Sequence, residues 1–204
     1  MSAFLDVIAA MLFGGALFGI ILDSNDLAAE TQMVYNGDMM VQQMLTSTVQ
    51  LVEGELRNIG FGLPSAQPAI RLADSTSMTF LSDIDRDGSV DTIAYSVGAV
   101  SEIASTPNEL DRFLKRSVNH EGIQNIGVVT LFSLRYFTQS GALLPTPVPS
   151  SRVSEIYTVE LTVEVQNPVA PARDPSMVKA GERDALYSSS LWQQTRLASQ
   201  NNRR

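Results

Sequence analysis

MSAFLDVIAAMLFGGALFGIIL, residues 1–22, is one uninterrupted apolar run whose only ionisable side chain is Asp6. From Ala3 to Leu22 it counts 20 residues, and at about 1.5 Å rise per residue a helix of that length covers about 30 Å, the hydrocarbon thickness of a bilayer. It is long enough to span a membrane. A secretory signal peptide would carry a basic n-region, a shorter apolar stretch and a small-x-small cleavage site. Here the first basic residue is Arg57, and Leu22 is followed by Asp23, Ser24, Asn25 and Asp26. The buried helix of a soluble domain, the other reading of such a run, fits poorly with apolar residues on every face at the end of a chain.

Outward from this run, no proline stands before Pro64 to stop a helix. Val41, Leu45, Thr48/Val49, Val52, Leu56 and Ile59 step by three and four, the mark of an amphipathic helix with a narrow stripe. RNIGFGLP then brings Gly60, Gly62 and Pro64, which end helices. The pattern predicts one long helix from about residue 3 to about residue 60, with Gly14, Gly15, Gly19 and Gly37 as points of bending or melting, each costing about 1 kcal/mol relative to Ala.

Beyond Pro64 the period changes to two. Strands are expected at Ala69–Leu72, Met78–Leu81, Thr92–Val97, Leu110–Val118, Val128–Thr138 and Val153–Val165, with a last, edge strand in Ala185–Leu197, whose Trp192 is equally readable as an interface anchor. In the sixth, Tyr157, Val159, Leu161, Val163 and Val165 share one face and Glu160, Thr162 and Glu164 the other, as in a half-buried antiparallel strand. The proline-rich stretches GALLPTPVPSS and NPVAPARDPSMVKAGERD read as exposed loops. The expected fold class is α+β, a long helix packed on an antiparallel head domain. Residues 1–22 form the membrane or core segment, 23–62 its amphipathic continuation and 63–204 the head.

With 14 basic against 22 acidic residues and a net charge of −8, the chain lacks the clustered cations a nucleic-acid partner requires. It has no cysteine, hence no thiol nucleophile and no thiolate metal site. The single histidine, His120, lies in the polar stretch SVNHEGIQN with no nucleophile or metal-ligand spacing around it. No catalytic residue is assigned and no enzyme is expected.

The sharpest local motif is DIDRDGSVD. Asp83, Asp85, Asp87, Ser89 and Asp91 fall at positions 1, 3, 5, 7 and 9 of the acidic calcium loop, with Gly88 at position 6 for the sharp turn. Position 12 is Ala94, not the bidentate Glu, and the flanking runs read as strands. Two readings stay open: a structural calcium site on a hairpin, or an Asp-Gly-rich turn with no ion.

Asp6 is the second feature, because a carboxylate in hydrocarbon costs about 3 kcal/mol. Ser2 is small, so the initiator Met is expected to be removed and Asp6 to become the fifth residue. It could pair with the α-amine of a neighbouring subunit, or lie at the membrane interface where the helix dipole favours it. Gly15 and Gly19 form a G-x-x-x-G match that permits close helix approach.

Taken together, these residues resemble the type IV pilins and type II secretion pseudopilins, most closely the PilW-type minor pilins. Asp6 takes the acidic fifth position, where the family usually has Glu. Leu56-Arg57-Asn58-Ile59-Gly60-Phe61-Gly62 is similar to the end of the family's helix, and Asp91-Thr92-Ile93-Ala94-Tyr95 to a strand that follows its Asp-Gly-rich turn. LDRFLKRSVN and LFSLRYFTQSG are similar to the next two strands. The resemblance implies a single-pass inner-membrane protein that moves into a surface or extracellular filament, with copies of itself or other pilin-like subunits as partners. The alternative is a single-pass anchored binding module with a calcium-stiffened β-domain.

Overall fold

The computed structural model describes residues 2–64, 67–103, 106, 108–119, 121–167 and 190–198, without the side chains of residues 2, 3, 5, 30, 33 and 34. Among the described residues one α-helix, α1 (Ser2–Arg57, 56 residues), precedes eight strands. They are β1 (Ile70–Ala73), β2 (Ser77–Ser82), β3 (Asp91–Val97), β4 (Arg112–Val118), β5 (Gln124–Val129), β6 (Leu131–Phe137), β7 (Thr158–Gln166) and β8 (Ser190–Leu197). The chain is α+β, and every strand pairing is antiparallel.

α1 has two environments. Phe4, Met11, Leu12, Phe13, Leu17, Phe18 and Ile20 all stand exposed, with Phe13 at 77%. Further along, the predicted stripe of Val41, Leu45, Val49, Val52, Leu56 and Ile59 is buried against β5, β7 and β8. At Gly37, where this contact begins, a Cβ would collide with the Asn167 side chain. Glycine lets the helix backbone approach that closely.

The head has two sheets. β1 to β5 form one in sequential order and β6, β7 and β8 the other. This corrects the expected strand Val128–Thr138. Thr130 interrupts it, donating its N–H to the Glu164 carbonyl at 2.9 Å, so that β5 and β6 belong to different sheets. Expected strand Val153–Val165 also shortens: Ser150–Glu155 is a 3₁₀ turn with Val153 buried, and β7 starts at Thr158. The sheets meet again at the β1–β2 turn, where Leu134 donates to the Ser75 carbonyl and the Tyr136 hydroxyl to the Asp74 carbonyl, each at 2.8 Å.

β8 is the expected edge strand, with Trp192 66% exposed; residues 185–189 of that prediction lie outside the described residues. So do His120 and most of the second proline-rich stretch.

Among the described residues two glutamates are buried. Glu55 of α1 receives the Tyr95 hydroxyl and a forked set of bonds from Arg116 at 2.6, 3.0 and 3.1 Å. Tyr95 and Arg116 face each other across β3 and β4, so this trio fastens the helix to the first sheet. Glu160, read from the sequence as solvent-facing, is 1% exposed. Arg135 and Arg196 reach it from β6 and β8 at 3.1 and 2.6 Å, and both guanidiniums lie over the Phe137 ring. Burial pushes the Glu160 carboxyl up, but Arg196, then a Gln194 hydrogen bond and the Arg135 charge, together outweigh it and hold the group below the usual carboxylate range.

Candidate functional site

The acidic motif is the connection between β2 and β3, braced from below by the end of the helix. Gly60 donates to the Leu81 carbonyl, Asp83 to the Phe61 carbonyl, and the Ser82 hydroxyl to the Asn58 carbonyl, each at 2.8 Å. Gly62 has φ +78°, and a Cβ there would lie 2.6 Å from the Asp83 Cβ. Glycine is required twice over, for the left-handed backbone and for the close approach. Arg86 closes the corner over the Phe61 ring at 5.8 Å.

Within the loop, one oxygen from each of Asp83, Asp85 and Asp91 lies within 4.8 Å of the others. Oxygens sharing one cation at about 2.3–2.6 Å are at most about 5 Å apart, so this spacing suits a common metal ion. Asp83 Oδ2 accepts the Gly88 N–H at 3.1 Å, whereas its Oδ1 is buried with no hydrogen-bond partner. A buried carboxylate oxygen without a donor costs free energy that a cation would remove. The cluster can hold a metal ion.

The five predicted ligands do not all converge. Asp87 lies outside the three-carboxylate group, its Oδ1 taking the Ser89 N–H at 2.6 Å, and both residues are exposed. Ala94, at the twelfth position, is paired within β3 and offers no oxygen side chain. Asn119, just past β4, escaped sequence reasoning. Its Nδ2 donates to Asp91 Oδ1 at 2.6 Å and its Oδ1 accepts the Thr92 N–H at 2.8 Å, which aims Asp91 at the cluster. An Asn ending a strand at φ 51° is a weak sequence signal, and its partner lies 28 residues away.

No protein-family model, curated protein or solved structure matches the chain.

A second candidate surface is the exposed half of α1. Asp6–Ala29, 24 residues, is long and apolar enough to cross a membrane, and none of it is buried in the head. Asp6 is exposed, and a Cβ built at Gly15 or Gly19 meets nothing within 4 Å, so the G-x-x-x-G face is open to another helix. Ser2 opens the helix.

Proposed function

We propose that this chain is a structural subunit of a type IV pilus-like or pseudopilus-like extracellular filament. In this reading α1 holds the protein in the inner membrane, then packs with the helices of neighbouring pilin-like subunits while the head stays outside. The observation that carries it is the continuity of α1: one 56-residue helix runs from an unburied apolar half into a half locked on the head. A simple tether needs neither that rigid connection nor a carboxylate in its apolar part. Burying the exposed half among similar helices exchanges lipid contact for protein contact, with Gly15 and Gly19 allowing close approach.

Electron microscopy of material sheared from the native cells, with antibody labelling of the head, tests this reading. Labelled filaments are expected. Label confined to the membrane fraction, with none on sheared filaments, would favour the anchored binding module instead.

In the same reading the β2–β3 loop holds a structural calcium through Asp83, Asp85 and Asp91, stiffening the corner where the helix meets the sheet. An ion present at a hundred times its dissociation constant stabilises by about 2.7 kcal/mol. For a chain starting at residue 30, chelation should therefore lower the melting temperature by roughly 5–10 °C. Asp83→Asn should melt low with or without chelator. An unchanged melt of the unsubstituted chain would count against a structural ion.

A further inference from the structure

Asp111, immediately before β4, lies at the opposite end of the first sheet from the acidic loop. In the β3–β4 register Ile93 faces Val118 and Val97 faces Leu114, so Asp111 lies beyond the Val97 end of β3 while Asp91 begins the other. Asp111 is 1% exposed, and neither of its carboxylate oxygens has a hydrogen-bond partner. The buried Glu55 and Glu160 are each met by arginine, whereas no ion pair reaches Asp111 among the described residues. A carboxylate buried in this way is costly in free energy.

Its neighbours are satisfied. Asn108, also buried, donates its Nδ2 to Gln166 Oε1 at 2.7 Å and accepts the Leu110 N–H on its Oδ1 at 2.9 Å. The Asn108 carbonyl accepts the Asp111 N–H at 3.2 Å, so residues 108–111 are fixed against the end of β7. The Thr106 hydroxyl faces the carboxylate, and its Oγ1 is likewise buried with no hydrogen-bond partner. A proton on Asp111 would remove the charge, but the hydroxyl that should then bond to the acid does not. A water would donate to the oxygens and leave the charge in place. Hard oxygens that face one another without bonding suit a cation, which answers the charge and the unpartnered oxygens together.

We infer that Asp111 and Thr106 hold a hard cation of the alkali or alkaline-earth class, at a second ion site independent of the β2–β3 loop. The ion fastens the segment before β4 to the place where α1 joins the head: Gln166, which holds Asn108, is followed by Asn167, and Asn167 lies against Gly37.

The test uses the full-length chain in neutral detergent micelles, stripped with chelator and dialysed into choline chloride. Calcium, magnesium, sodium or potassium chloride is then added at constant ionic strength, and both bound ion and melting temperature are measured. For one of the four cations, Asp111→Asn is expected to bind one ion fewer per chain than the unsubstituted protein. Thr106→Val should weaken binding of that ion by about tenfold or more, the loss of one contact to a charge. Asparagine has the shape of aspartate without its charge, so Asp111→Asn should melt at least as high as the unsubstituted chain in choline and lower once the ion is present. The variant Asp83→Asn/Asp85→Asn, with its loop emptied, should keep the response to that ion. An equal ion count with and without Asp111→Asn, for all four cations, would overturn the inference. So would an Asp111→Asn chain that melts higher under every condition, which marks a carboxyl buried with no ion. Either result leaves the filament reading and the loop site standing.

Discussion

Glu55→Ala is expected to destabilise the head by about 3–5 kcal/mol, the usual cost of removing one partner of a buried ion pair. Glu55 is 7% exposed and the Arg116 side chain 16%, so both charges lie mostly out of water. The deletion strands the Arg116 guanidinium and leaves the buried Tyr95 hydroxyl without its acceptor. Each stranded group carries a desolvation penalty, larger for the charged one. Native domains are stable by about 5–15 kcal/mol, so this one change removes a large share. The melting temperature should fall by roughly 6–20 °C. Arg57→Ala is the contrast: Arg57 is 60% exposed in its pair with Glu53, an i,i+4 pair worth about 0.3–0.5 kcal/mol. Urea denaturation of both variants checks the comparison. A Glu55→Ala loss under 1 kcal/mol would show that water reaches the trio. Because the penalty comes from the abandoned partner, Arg116→Met added to Glu55→Ala should recover part of the loss.

Glu55 also marks where the sequence stops being legible. The helix and its buried stripe could be read directly, because Val41, Leu45, Val49, Val52, Leu56 and Ile59 repeat at the period of the helix itself. Glu55 sits within that stripe, three residues after Val52 and one before Leu56. Nothing local says that its counter-charge is Arg116, since the pairing exists only through the β3–β4 register. Glu160 was misread for the same reason: alternation along β7 assigns it to the outer face, and two arginines from neighbouring strands cover it there. VVTLFSLRYFT likewise reads as one strand, because it is β-branched and apolar along most of its length and holds no Gly, Pro, Asn or Asp to mark a break at Thr130. The change of sheet at Thr130 depends on a hydrogen bond to Glu164, 34 residues on.

The acidic loop was legible in part. Its Asp-x-Asp-x-Asp-Gly spacing announces converging carboxylates, yet spacing alone cannot say which of them turn inward. Asp83 does so because the helix end presses on it through Gly62, and Asp91 because Asn119 holds it. Asp87 satisfies itself on the Ser89 N–H within its own turn. Local hydrogen bonding of this kind competes with ligand geometry wherever an Asp is two residues from a loop amide.

On the proposed filament reading, Asp6→Ala should leave membrane insertion intact and abolish this chain's assembly into filaments. Insertion alone gives no reason for the carboxylate: a charged residue costs about 2.5–3.5 kcal/mol at the bilayer centre, so alanine would insert at least as well. The dipole of α1 acts chiefly on its first turn, which holds no acidic residue, so at Asp6 in the second turn it gives less than the usual figure of about 0.3–1 kcal/mol, and it acts on the single subunit as much as on the assembled one and gives no drive toward assembly. Pairing with a neighbour's α-amine differs, because it exists only between subunits and in a core from which water is excluded. Removing one partner there costs about 3–5 kcal/mol per contact, a hundred- to a few-thousand-fold loss in affinity, repeated along the filament. Where the neighbour is a copy of this chain, no Lys or Arg precedes its Arg57, so no side chain of its helix can replace the missing pair. Asp6→Glu keeps the charge and should keep assembly. Comparing the sheared and membrane fractions by immunoblot separates the outcomes, and normal filament yield from Asp6→Ala would leave the helix dipole as the only role for this residue.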